Sequence, residues 1–153
     1  MEPLFIKNTI TIKASPDKVW DALTNPNKTK KFMFGCETVS DWKVGSALLW
    51  RAHYEGKDMV FVIGHIKEIK PNKLLVYTVF DPNSTMPDIP ENYLTVTYRL
   101  NERKDKTLLT VTQGDYSLVA EGERRHKESL GDGSGWNPIL LQIKTLVEAE
   151  NPK

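Results

Sequence analysis

Between residues 37 and 114 the chain alternates extended, half-apolar runs with links of hairpin length. Glu37–Asp41 and Ala47–Tyr54 flank a turn around Gly45. Glu55-Gly56-Lys57-Asp58 is a four-residue hairpin signal, Met59–Ile69 runs into a turn at Pro71-Asn72, and Leu74–Phe80 follows. Asn101–Lys106 turns Tyr93–Leu100 back into Thr107–Gln113. A parallel partner needs a crossover of a dozen or more residues, so these links demand antiparallel pairing. In Tyr93–Leu100 the residues Leu94, Val96, Tyr98 and Leu100 face one way and Thr95, Thr97 and Arg99 the other. One clean apolar face implies a sheet covered on one side.

What covers it is written at the two ends. Residues 4–13 read as another strand, with Phe5, Ile6, Ile10 and Ile12. Ser15 as N-cap, Pro16 at the first helical position and Asp17 in the first turn then start a helix that buries Val19, Trp20 and Leu23. Asn25-Pro26 ends it, and a second short helix is expected from Asn27 to about Phe34, with Phe32 and Met33 inward. At the far end Trp136, Ile139, Leu140, Ile143, Leu146 and Val147 repeat at helical spacing, with Pro138 in the first turn and Ser134 or Asn137 as cap. Before it, charged Leu118–Leu130 reads as a loose helix and Gly131-Asp132-Gly133-Ser134-Gly135 as a flexible break. Asp81–Asn92, with three prolines, reads as a loop of the length found at the rims of sites. Strands followed by helices give an α+β domain, one domain over residues 1–153.

Several function classes lose support here. Net charge is +1, without the basic excess of a nucleic-acid binder. The runs Lys28, Lys30, Lys31 and Arg124, Arg125, Lys127 read as solvated helix faces, so no nucleic-acid partner is expected. One cysteine, Cys36, permits no intrachain disulfide, and it reads as a buried small hydrophobe rather than a nucleophile. No run approaches the ~18 apolar residues of a membrane span, and Met1–Lys7 lacks a signal-like pattern. The expected location is the cytoplasm, and Asn83-Ser84-Thr85 is then a polar loop rather than a glycosylation site. His53, His65 and His126 are scattered without ligand spacing, so neither a metal nor another cofactor is expected. The glycine run at 131–135 has no preceding strand and no following Lys-Ser/Thr, which a phosphate cradle would need.

A one-faced sheet against one long helix leaves a groove, and grooves of this kind take small apolar ligands. The candidate lining residues are Trp50, Tyr77, Tyr98, Gln113, Tyr116, Trp136 and Leu140. Tyr and Trp combine an apolar body with one polar tip, which suits ligand orientation. Trp20 and Trp42 read as structural. No catalytic residue is assigned. Arg51, His53, His65, Tyr98 and Arg99 are the acid–base candidates if the groove supports chemistry.

Ala14-Ser15-Pro16-Asp17-Lys18-Val19-Trp20-Asp21-Ala22-Leu23 closely resembles the opening of the SRPBCC, or START-like, superfamily. Within it, Val44-Gly45-Ser46, the stretch Ile66–Leu74 and Gly135-Trp136 followed by Leu140 and Ile143 are most similar to the activator of heat shock protein 90 ATPase homologue family. The likeness covers nearly the whole chain. Two positions depart from the pattern: Phe32-Met33-Phe34 stands where a Trp is common, and Gly45-Ser46 replaces a commoner Gly-Gly. The resemblance implies a helix-grip fold, a curved seven-stranded antiparallel sheet around the C-terminal helix with two short helices after the first strand, and an internal cavity. It implies no single activity, since the superfamily includes lipid carriers, polyketide cyclases and co-chaperone domains. The leading expectation is a non-catalytic binder of a small hydrophobic or amphipathic molecule. The alternatives are a chaperone-associated protein, for which this length leaves no room for the co-chaperone's extra domain, and a cyclase or dehydratase acting in the cavity.

Overall fold

In the computed structural model, which describes residues 2–150, seven strands form one antiparallel sheet. β1 (Ile6–Ile12) leads into α1 (Pro16–Thr24) and α2 (Pro26–Phe32). Then come β2 (Glu37–Ser40), β3 (Ala47–Tyr54), β4 (Lys57–Lys70), β5 (Leu74–Val79), β6 (Leu94–Arg103) and β7 (Lys106–Gly114). α3 (Gly122–Leu130) and α4 (Asn137–Ala149) complete the order, with single 3-10 turns at Pro90–Asn92 and Tyr116–Leu118. From β2 to β7 each strand pairs with the next, and β1 returns to pair with β7. This is the expected helix-grip arrangement.

The sheet curves because its pairing register shifts twice, between Trp50 and Arg51 and between Ile66 and Glu68. Each irregularity bends the strand and increases its twist. Gly64 lets β4 press onto β5: a Cβ there would lie 1.6 Å from the Thr78 carbonyl oxygen. The concave face carries Leu48, Trp50, Ile66, Leu75, Tyr77, Val96, Tyr98, Leu109 and Val111, all buried. α4 lays Leu140, Ile143 and Val147 against it, and α1 adds Val19, Ala22 and Leu23. Trp20 and Trp42 pack against this core half-buried.

The helix ends are built less simply than their sequence suggests. The Ser15 backbone carbonyl accepts the first α1 bonds, but its hydroxyl donates to Asp17 instead of capping the helix. α2 begins at Pro26 rather than Asn27, because Asn25 Oδ1 accepts the Asn27 N–H at 3.0 Å and starts a new helix directly after the old one. Neither Ser134 nor Asn137 caps α4. That task falls to Asn8 of β1, whose Oδ1 accepts the Trp136 N–H at 3.0 Å while its Nδ2 donates to the Ser134 carbonyl at 3.1 Å. Gly135 is therefore a docking point: its φ is +56°, and a Cβ would come within 2.8 Å of Asn8 Oδ1. A buried polar knot joins α1, α2 and β2. Thr29 Oγ1 donates to the Cys36 carbonyl at 3.1 Å and accepts the Thr38 N–H at 3.3 Å, and Thr38 Oγ1 donates to the Thr24 carbonyl at 2.7 Å.

Candidate functional site

Beyond the point where α4 begins, the concave face is not fully covered, and a cavity of about 370 Å³ remains. Its floor is Trp50 from β3, Tyr77 and Val79 from β5, Val96 from β6 and Gln113 from β7. Phe61 and Val62 of β4 form one side. Met33, Phe34 and Cys36, which follow α2, form the rim, and Trp136 at the head of α4 closes the remaining wall.

Four of the seven residues expected in the groove thus line it: Trp50, Tyr77, Gln113 and Trp136. Three do not. Tyr98 points inward as its alternation requires, but the Trp136 indole packs edge-on against it at 5.9 Å and covers it. Tyr116 lies past the end of β7, where its ring meets His126 of α3 edge-on at 5.2 Å. Leu140 lies a turn further along α4, completely buried in the core. Sequence reasoning placed none of Cys36, Phe61, Val62, Val79 and Val96 in the groove. Val79 and Val96 had a signal, since they share the inward alternation of Tyr77 and Tyr98. Phe34 belongs to the Phe32-Met33-Phe34 stretch that departs from the family pattern; it sits at φ +53° and is 83% exposed at the rim.

Comparison with known proteins supports the fold and gives the family. The family model described as "Activator of Hsp90 ATPase homolog 1-like protein" matches residues 13–148. The chain belongs to that family. Its fold is similar to the solution structure of ChR145 from Cytophaga hutchinsonii, with 32% identity, 99% of each chain covered and a TM-score of 0.75. It is also similar to the Aha1 dimer from Colwellia psychrerythraea, at 20% identity, 97% of this chain and 99% of that one, and a TM-score of 0.68. An HSP90 activator from Plasmodium falciparum shares the fold at 17% identity, 94% and 96% coverage and a TM-score of 0.64. No curated protein matches the chain.

Within this family member the chamber wall is electrically quiet. The Tyr77 and Tyr98 hydroxyls bond to each other at 2.8 Å, and burial pushes both phenols well above their ordinary range. Burial also raises the Cys36 thiol. The Trp136 Nε1–H donates to Gln113 Oε1 at 2.7 Å. An indole N–H only donates, so this bond fixes which end of the Gln113 amide faces it. The acid–base candidates Arg51, His53, His65 and Arg99 are all exposed and line no part of the chamber. His53 meets Asp58 at 3.1 Å in solvent, and Arg99 borders an open groove of about 760 Å³ beside Lys70 and Lys73. No three His, Cys, Asp or Glu side chains among the described residues are placed to hold a metal ion. Among the described residues no helix is long and apolar enough to cross a membrane.

A second space of about 300 Å³ adjoins the chamber and shares Val62, Val79 and Gln113 with it. This vestibule is polar. α3 contributes Arg124, Arg125, Glu128 and Ser129, and the 81–92 loop contributes Asp81, Ser84 and Met86. Asn92 ties these two segments into one cover. Its buried side chain accepts the Ala120 N–H at 3.1 Å and donates to the Pro87 carbonyl at 2.9 Å, while its carbonyl accepts from Arg125 Nη1 at 3.1 Å.

Proposed function

We propose that this chain is a non-catalytic binding domain for a small hydrophobic or amphipathic molecule, held in the chamber between the sheet and the head of α4 and handled in the cytoplasm. The observation that carries the reading is the chamber itself: some 370 Å³, within the range of small-molecule sites, with an apolar wall and one oriented amide, Gln113. The cyclase or dehydratase alternative needs an acid or base at the substrate. The titratable side chains on the wall are Cys36 and Tyr77, and burial keeps both protonated at neutral pH. Binding without chemistry suits this wall better.

Native mass spectrometry of the protein purified from its own source, followed by extraction, tests the reading. A co-purifying small molecule is expected, and it should be lost in Val79→Trp, which fills the chamber. Overpacking of that kind costs about 1–3 kcal/mol, so the thermal melt of the variant is read alongside. An equal amount of small molecule on the filled variant would reject the chamber as the site.

Membership of the activator family, and the fold shared with the Plasmodium falciparum HSP90 activator, support a second reading in which the domain associates with a chaperone. Stimulation of the chaperone's ATPase by micromolar amounts of this domain is its test, and no change in rate would count against it.

A further inference from the structure

The chamber has a second end whose chemistry its apolar wall does not use. We propose that the ligand is an amphiphile with a single carboxylate head, its tail in the chamber and its head on Arg125 in the vestibule. This rests on the ligand-binding reading above and adds the chemical class.

Arg124 and Arg125 are neighbours at the vestibule, yet their surroundings differ. Arg124 is exposed and neutralised twice, by Glu121 at 2.9 Å and Glu128 at 2.8 Å. Arg125 is half-buried and, among the described residues, has no carboxylate within ion-pair distance. Its Nη1 donates to the backbone carbonyls of Asn92 at 3.1 Å and Ala120 at 3.5 Å. A guanidinium has five N–H donors, so this leaves the Nε–Nη2 edge without a protein acceptor. Two carbonyls orient the fork and supply no counter-charge. Glu121 attracts Arg125 from beyond ion-pair distance, and an anion entering the vestibule could bond the open guanidinium edge directly. The vestibule carboxylates make no bond to Arg125. Glu128 is taken by Arg124, and exposed Asp81 accepts the Asn83 N–H at 2.8 Å.

Gln113 supplies a second donor, at the junction of the two spaces. Its Oε1 is committed to Trp136, and its Nε2 has no acceptor among the described residues. A planar guanidinium edge and an amide NH₂ suit the planar, bidentate geometry of a carboxylate. The size of the tail follows from the volume: at about 30 Å³ per water-sized group, the chamber takes on the order of a dozen heavy atoms.

Decanoate therefore serves as the probe, with decan-1-ol and decylamine as the same tail carrying neutral and positive heads. Calorimetric titration of the full chain at neutral pH should show decanoate binding roughly ten- to hundredfold tighter than decan-1-ol, the range for hydrogen bonds to a charged group. Arg125→Met should bring decanoate down to the alcohol's affinity and leave the alcohol nearly where it was. Arg125→Glu should reverse the order in favour of decylamine. Equal binding of decanoate and decan-1-ol to the unaltered chain would overturn the carboxylate assignment and leave the chamber intact as a site. A decanoate preference that survives both substitutions would place the charge recognition elsewhere and overturn it too. If none of the three probes binds, the ligand-binding reading fails and this one falls with it.

Discussion

The two helices after β7 are built on opposite terms. α4 turns Leu140, Ile143 and Val147 into the core and is fixed at its head by Asn8 and at its tail by Glu148. α3, only seven residues earlier, buries no residue at all. It is held by Arg125 and His126, which reach the carbonyls of Asn92 and Phe5, and by the packing of His126 on Tyr116. One helix closes the core, and the other covers an opening. In a binding domain the difference separates the part that must hold its shape from the part that can yield, because segments that move in binding come from the low-stability end of a fold.

The largest test of this contrast is a pair of truncations. Leu140→Ala empties a fully buried site and should cost about 2–5 kcal/mol. Leu130→Ala, at the half-buried end of α3, should cost well under half as much, read as the shift in urea midpoint at constant slope. Similar losses from the two would mean that α3 is as much part of the core as α4.

Hydrogen exchange probes the same contrast without altering the chain. The α4 amides should exchange only with global unfolding, while those of α3 and of the 81–92 loop should exchange at least about a hundredfold faster, a gap of about 3 kcal/mol in opening free energy. The two covering segments should also open together, since Asn92 joins them. Protection in α3 equal to that of the sheet would remove the idea of a mobile cover.

The same division explains what could be read in the sequence. α4 announced itself through the spacing of Trp136, Leu140, Ile143 and Val147, and β6 through its alternation, because burial on one face imposes a period. Asn25-Pro26 carried two instructions, stop and start, and only the first is visible from a propensity rule. The Asn8 cap was invisible: it joins positions 128 residues apart, and an asparagine in the middle of a strand gives no local sign of the helix it serves. The site was half legible for a related reason. Alternation sent Tyr77 and Tyr98 to the same face, but only the landing place of the Trp136 ring decides which of them meets the cavity. Arg125 was hardest to see. In a run as charged as residues 121–128, every side chain looks solvated until the partners of each are known, and here Arg124 takes two of the three carboxylates while Arg125 makes no ion pair among the described residues.

The smallest effect sharpens the comparison at the level of single charges. Glu148 stands in the last turn of α4, where the helix dipole disfavours a negative charge. It is retained there by contacts beyond its own turn: its Oε2 accepts from Lys144 Nζ at 2.5 Å and from the Lys13 N–H at 2.8 Å, which ties α4 to the end of β1. These bonds, the Lys144 one first, hold its carboxyl below the ordinary 4.5. A depressed carboxylate stabilises the fold at pH values above that ordinary value and loses its contribution as acid protonates it. Glu148→Gln should therefore lower stability at neutral pH by well under about 1 kcal/mol, the scale of a partly exposed pair. The deficit should shrink as the pH falls below 4.5. The α3 pairs of Arg124 join residues of the same short segment, so Arg124→Ala should leave the melting curve where it was. If instead Arg124→Ala shifted the melt and Glu148→Gln did not, the charges would be fastening the cover rather than the core helix, and the assignment of roles to the two helices would have to be exchanged.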